Sequence, residues 1–485
     1  MAGGAPAVVL TTLTGADASA NPLPAVPTGM HVRTLLAPHL QTGIFDPRTL
    51  AETTISPYFS PDHVHQWSFG VQHQLAQNAA LELRYTGNHA QNLFQTINGN
   101  PYILGLANLY PHLVPAGLTP CPASQAAISQ LIGRVNCTGA ALIRERTNTG
   151  YSDYHGLQIE FRSTHLWNQL TLKSAYTFSK TTDNASEIGA TLAAGGTFAI
   201  SQSQVNFTDQ EHSLSGIDFP QNWVLTALED LPFYRHQLGF LGHAFGGWKV
   251  SAVYSLYSGQ PFTAAQSGLN CASGGGACGG IPDAENPYDP AFNAALGGPD
   301  GSLRPFLGSS AAPVQSVGIF ANDVCAVDVD GNLCGSSTIT PTTLISLNKF
   351  NNGFKGTMTD AAGNTVPDPA HAPSVVLKNQ VRFIANTRTA DQIFGSPFGN
   401  VGRNTLRTSK TNVLNLSVFK VTNISEKFSL QFHADFLNAF NHPNFASIDP
   451  FIDNAGRFGE GLGFANPKVE GSGSRSIWFG LKLLF

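Results

Sequence analysis

The residues best suited by type and spacing to do chemistry are six cysteines and a short cluster of histidines. Cys121 with Cys137, Cys271 with Cys278, and Cys325 with Cys334 form three close pairs, each in a stretch rich in Gly, Pro, Asn or Ala. Local pairs of this kind read as three loop-closing disulfides made in an oxidising compartment. Metal-bound thiols are the rival reading, but the spacings match no zinc pattern and no His stands at ligand distance in sequence from any pair. Asp62, His63 and His65 offer a second arrangement, because His63 and His65 project from the same face of an extended chain. Metal ligands normally recur as a distributed set, so a solvated segment ahead of a strand is the simpler reading and no metal site is assigned. Asp328, Asp330, Gly331 and Asn332 echo part of a calcium loop but lack its terminal Glu. An Asp-Gly turn between Cys325 and Cys334 accounts for them.

Catalytic patterns are otherwise missing. There is no nucleophile elbow, no phosphate-cradling Gly loop with its Lys, no His-Glu-x-x-His and no paired Cys-x-x-Cys. The chain is therefore not read as an enzyme, and no catalytic residue or cofactor is expected. A net charge of -5 offers no general attraction to nucleic acid, which is not expected as a partner.

The elements that carry these residues must be strands. Charged residues make up only 12% of the chain and aromatics 10%, with 49 Gly and 30 Pro, a balance suited to many strands and turns. No apolar run reaches the length of a membrane-spanning helix. A mean hydropathy of -0.04 remains compatible with membrane-spanning strands, of which only one face is apolar.

Alternation with period two recurs along the chain. Trp67, Phe69, Val71 and Leu75 share one face against Ser68, Gln72 and Gln74, with His73 breaking the apolar series. After a turn at Gln77 and Asn78, Leu81, Leu83 and Tyr85 oppose Glu82, Arg84 and Thr86, which predicts a hairpin. A second hairpin sets Leu157, Ile159 and Phe161 beside Leu170, Leu172, Tyr176 and Phe178. Further strands are expected over 223–231, 248–256, 414–418 and 428–436. The last alternates Ile477, Phe479, Leu481, Leu483 and Phe485 with Ser476, Gly480 and Lys482.

About nine strands emerge, many long enough to cross a bilayer at a tilt. Short turns near Asn78, His165 and Ser425 contrast with long loops at about 91–150, 181–218 and 265–400, to which no internal structure is assigned. That asymmetry belongs to transmembrane barrels, with short turns on the periplasmic side and long loops outside the cell. The fold class expected is all-β: an antiparallel transmembrane β-barrel portion, an incomplete barrel or curved sheet, with long extracellular loops. Trp67, Tyr85, Tyr176, Trp223 and Trp248 read either as interfacial girdles or as the core of a soluble sheet.

Four stretches in order, HQWSFGVQHQLAQNAALELRYTGNHAQNL, YSDYHGLQIEFRSTHLWNQLTLKSAYTFSKTTDNAS, WKVSAVYSLYSGQPFT and LQFHADFLNAFNHPNFA, resemble the Oar-like TonB-dependent receptors, outer-membrane transporters common in acidobacteria. The resemblance runs from about Pro57 to Phe485. It implies a bacterial outer-membrane location, outer-membrane lipid as surroundings and transport of a ligand that remains unknown. It also implies that Ile477, Phe479, Leu481, Leu483 and Phe485 form the terminal signal read by the barrel-assembly machinery.

Relatives begin with a signal peptide, a TonB-contacting box and a plug domain, none of which is recognisable here. Residues 1–56 are accordingly expected to be an irregular segment from the interior of a longer parent, and 57–485 the C-terminal barrel portion. TonB would then be a partner only through the missing plug region. A truncated protein or gene model is the simplest account, since nine strands fall short of the roughly 22 of plugged outer-membrane transporters. The alternative is a secreted or cell-surface β-rich binding module whose disulfide-closed loops bind a glycan or protein.

Overall fold

The computed structural model describes residues 51–166, 169–184, 211–234, 236–266, 304–323, 330–347, 357–359, 365–367, 374–424, 428–452, 461–464 and 473–485. Its main strands are β1 (Ala51–Ile55), β2 (His63–Ala76), β3 (Ala79–Asn98), β4 (Leu142–Leu166), β5 (Leu170–Asp183), β6 (Gln221–Asp230) and β7 (Trp248–Tyr257). Short strands β8 (Phe306–Leu307), β9 (Val317–Phe320), β10 (Leu344–Ser346) and β11 (Phe383–Ile384) follow. The main sheet is completed by β12 (Thr411–Asn423), β13 (Ser429–Leu437) and β14 (Ser476–Leu484). Helices are short: α1 (Leu104–Leu109), α2 (Gly239–Phe245) and α3 (Arg388–Phe394).

Nine long strands form one up-and-down sheet in the order β2-β3-β4-β5-β6-β7-β12-β13-β14, every neighbouring pair antiparallel. They coincide with the nine alternating segments of the sequence. The register also aligns their faces. One hydrogen-bonded row runs Ala79, Ser163, Leu172, Ala227, Ala252, Leu416, Phe436, Ile477. It starts at the short-turn end of β3 and finishes near the loop end of β14, which is the progressive stagger of tilted barrel strands.

Neighbouring rows on that face are mostly apolar: Leu83, Ile159, Tyr176, Trp223 and Leu256 follow one another in a row that meets Asn412 on β12, and Val250, Val418, Ala434 and Phe479 in another. All five aromatic residues singled out from the sequence lie on this face. Where Trp67 crosses onto β3 its partner is Gly87. A Cβ there would stand 2.3 Å from the indole, so the ring lies flat only because the position is Gly.

The other face carries charge over β3 to β5. Glu82 meets Arg84 and also Arg162 at 3.4 Å, while Glu160 meets Arg162 at 3.7 Å and Lys173 at 3.5 Å. Toward β14 this face becomes mixed, with Phe419 and Trp478 on it.

The buried core is not in the sheet. Phe69 is 72% and Phe479 71% exposed, whereas Val317, Ile319, Ile345 and Phe383 are buried in a cluster inside the loop region. That cluster lies about a four-stranded sheet in the order β8-β11-β9-β10. It corrects the reading of 265–400 as a loop without structure. The Gly and Asp content there masks short strands, two to four residues long, that pair across large separations in sequence.

Three other boundaries move. Strand β3 runs on to Asn98 and β4 starts at Leu142, so the first long loop is 99–141 rather than 91–150, because polar residues above the apolar band still pair. Residues 51–55, expected to be irregular, form β1 and pair in parallel with Leu142–Arg146. A further long connection, residues 438–475, leads from β13 to β14. The turns near Asn78, His165 and Ser425 all fall at one end of the sheet, and the connections 99–141, 184–220, 258–410 and 438–475 at the other.

Candidate functional site

Described parts of the 184–220 and 258–410 connections meet at the loop end of the sheet, where charge pairs tie them to the polar face. Asp183 closes β5 on that face and is buried, as are Ser179 and Thr181 below it. Arg403 reaches Asp183 from 220 residues away and pairs with its carboxylate, also donating to the Asp183 carbonyl at 2.8 Å. The same guanidinium donates to the Glu211 carbonyl at 3.1 Å, and Glu211 pairs with Arg304 at 2.5 Å. All four side chains are at least nine-tenths buried. Arg407 pairs with Asp218, whose other oxygen accepts the Thr181 N–H at 2.6 Å. Planar, bidentate guanidinium groups suit such dry anchoring better than lysine would.

Beside this network is a cavity of about 280 Å³ lined in part by Leu113, Arg304, Phe398 and Asn400, so the 99–141 and 258–410 connections both contribute to it. It is a small concavity. No nucleophile and base stand together in it, and its one charged group is already paired with Glu211.

A second feature is titratable. Asp391 on α3 is buried, and neither carboxylate oxygen has a hydrogen-bond partner among the described residues. Burial, with Asp323 close by, pushes its carboxyl up to about 8. Asp323 in turn accepts from Thr387 Oγ1 at 2.6 Å and Thr389 Oγ1 at 2.7 Å. Burial also raises the Tyr110 phenol to about 12, with the Asp391 charge adding to the effect.

The folded form thus holds the Asp391 proton more tightly than the unfolded chain, whose carboxyl titrates near 3.8. Its contribution to loop-cap stability is full below that value and declines as pH rises to about 8, then levels off. Asp391→Asn is expected to flatten this decline and to stabilise the cap above pH 8 by on the order of a few kcal/mol. Protease cleavage of the cap, compared between the two proteins at each pH, checks it. Parallel pH curves would count against the assignment.

The residues singled out from the sequence are distributed as follows. Cys121 and Cys137 are joined by a disulfide, with Cα atoms 5.4 Å apart, inside the 99–141 loop. Cys334 is disulfide-bonded; Cys325, Cys271 and Cys278 lie outside the described residues. Gly331 takes a φ of 82°, as a turn requires, while Asp328 lies outside the described residues. His63 and His65 stand exposed at the start of β2, His65 opposite His89, which pairs with Asp153 at 2.5 Å. No group of three metal-ligating side chains is assembled among the described residues. Ile477, Phe479, Leu481 and Leu483 line the apolar face of β14, and Phe485 follows it at 94% exposure.

Sequence reading missed Arg304, Arg403, Asp183, Glu211 and Asp391. The available signal was an isolated charge in a stretch otherwise poor in charge, and the pairs Arg304 with Glu211 and Arg403 with Asp183 span 93 and 220 residues.

An apolar face continuous over nine antiparallel strands, with short turns at one end and packed loops at the other, defines the wall of a transmembrane β-barrel. The chain belongs to the outer-membrane β-barrel family: the model described as "Outer membrane beta barrel domain" matches residues 1–307 and 337–475. Its place is the outer membrane. The match includes residues 1–56, which the sequence reading had set apart from the barrel portion.

Among solved structures, the chain is similar to the outer-membrane transporter YddB from Escherichia coli at 7% identity and a TM-score of 0.36, covering 90% of this chain and 34% of that one. The FrpB iron transporter from Neisseria meningitidis aligns at 8% identity and a TM-score of 0.31, over 89% and 33%. The ferripyoverdine receptor of Pseudomonas aeruginosa aligns at 8% and 0.29, over 88% and 27%. The chain spans about a third of the length of these proteins. No curated protein matches it.

Proposed function

We propose that this chain supplies the C-terminal wall and ligand-facing outer loops of a TonB-dependent receptor of the Oar-like type, one that takes up a ligand across the outer membrane. The observation that carries the reading is the mostly apolar face that runs over all nine long strands. A soluble binding module would bury that face against a second sheet, as a sandwich must. Here Phe69 and Phe479, at opposite ends of the sheet, are each more than two-thirds exposed. The order and spacing of the four sequence stretches support the receptor type.

The edges support a larger barrel. Strands β2 and β14 both run from the loop end to the short-turn end, so pairing them with each other would be parallel. Bacterial single-chain barrels keep an even number of antiparallel strands, so an odd number of further strands has to stand between these edges. Leaving the edges open in hydrocarbon would cost several kcal/mol for each unpaired backbone group. Gate and energy coupling, through a plug and its TonB contact, would reside in the same longer protein. Transport and binding, rather than catalysis, fit a cap held by charge pairs.

Expressed with an export signal, the protein is expected in the outer-membrane fraction. Protease added to intact cells should cut the 99–141 loop and leave the 424–428 turn untouched until the membrane is opened. Quantitative recovery as a soluble monomer, or cleavage of the turn from outside, would overturn the reading.

A further inference from the structure

One connection at the short-turn end differs from its neighbours. Residues 231–247, between β6 and β7, are long for a periplasmic turn and mostly apolar, and large apolar side chains among the described ones point outward: Leu238 is 81% and Phe240 87% exposed. Phe233, Tyr234, Leu241 and Phe245 are each more than half exposed. An exposed cluster of this size on a turn calls for something to cover it.

The place where the segment is anchored identifies the cover. Lys420 Nζ donates to the carbonyls of His243, Ala244 and Gly246 at 2.7, 2.8 and 3.1 Å, and so satisfies the open end of α2. Its ammonium stands 4.8 Å from the centroid of the Trp248 ring, and Trp248 Nε1 donates to the Ala244 carbonyl at 3.3 Å. Lys420 and Trp248 are register partners on the apolar face, at its short-turn end. Gln237 holds the start of the segment, donating to the Val421 carbonyl at 2.7 Å and accepting from the Asn423 N–H at 3.0 Å. The exposed cluster is thus continuous with the face already turned toward hydrocarbon. An apolar cavity of about 500 Å³, lined by Leu231, Phe233, Tyr234, Phe245 and Trp248, opens beside it.

We infer that residues 231–234 and 236–247 lie in the headgroup and acyl boundary of the periplasmic leaflet, with phospholipid as the occupant of this surface. Apolar side chains enter the boundary while backbone carbonyls and the Lys420 ammonium satisfy one another at that depth, the arrangement by which short amphipathic segments lie in a membrane interface. Trp248 and Tyr234 are the residue types that settle at such a level. The inference rests on the membrane wall and its register and is independent of the receptor type or its ligand.

The test uses the full chain folded into phosphatidylcholine vesicles, with an added indole as reporter: Phe240→Trp, with Leu238→Trp as a second variant and Leu109→Trp in the outer loop as control. Lipid burial predicts that the emission added by Trp at 240 or 238 is blue-shifted. Most of it should be lost when the phospholipid carries bromines near the headgroup end of its chains, and less when they lie near the chain ends. The indole at 109 should respond to neither. An indole at 238 and 240 that is open to aqueous quencher and unaffected by brominated lipid overturns the inference. Shielding from both quenchers also overturns it, because it assigns the surface to protein, a second copy included.

Discussion

Deleting Phe485 is expected to abolish most outer-membrane assembly while leaving the folded sheet unchanged in stability. Phe485 is 94% exposed and follows an edge strand, so its removal takes away almost no packing and should cost the fold little. A large loss of assembled protein would then report recognition rather than stability, which is the role expected of a terminal signal. Phe485→Ala should behave as the deletion does, whereas Trp478→Ala, on the opposite face of the same strand, should assemble nearly normally. The measurement is the protease-protected yield in isolated outer membranes at matched synthesis. Normal yield without Phe485 would remove the signal from this residue.

The second large effect belongs to Arg403. Replacing it with Ala removes the guanidinium that pairs with the buried Asp183 carboxylate and donates to the carbonyl of the buried Glu211. Breaking a buried pair in this way costs about 3–5 kcal/mol, because the partner stays behind uncompensated. An exposed pair such as Lys249 with Asp230 is worth about 1 kcal/mol at most. The loss should be local. Hydrogen exchange is expected to speed up in 211–218 and 400–408 while β2 to β4 keep their protection, since the sheet ladders do not depend on the cap. Arg403→Lys should rescue only partly, a point charge being unable to serve Asp183 and Glu211 together. Unchanged exchange in both segments would show that the cap is held by its apolar cluster instead.

The two effects separate the wall from the cap, and they separate just as clearly what could be read from the chain alone. Alternation marked the nine long strands of the main sheet because a side-chain period of two is a local property: Leu81, Leu83 and Tyr85 face together whatever they pair with. The turn at Gln77 and Asn78 was equally local. Polar residues that pair above the apolar band, such as Gln95 with Thr147, carry no such alternation, and the strand ends were misplaced there.

By itself the sequence determined an all-β chain with strands of membrane-spanning length, a face of one character on each strand, and connections of two lengths. The pairing of those faces into one continuous apolar surface came from the register, which a shift of a single residue would have inverted. The position of the hydrophobic core was likewise beyond the sequence, since Val317, Ile345 and Phe383 meet only through short strands joined across long gaps. The cap anchor depends on the same kind of closure. Arg403 finds Asp183 across 220 residues, and neither residue carries a local mark of the other. Periodicity is written into neighbouring residues; a contact between distant ones exists only once the chain has folded back on itself.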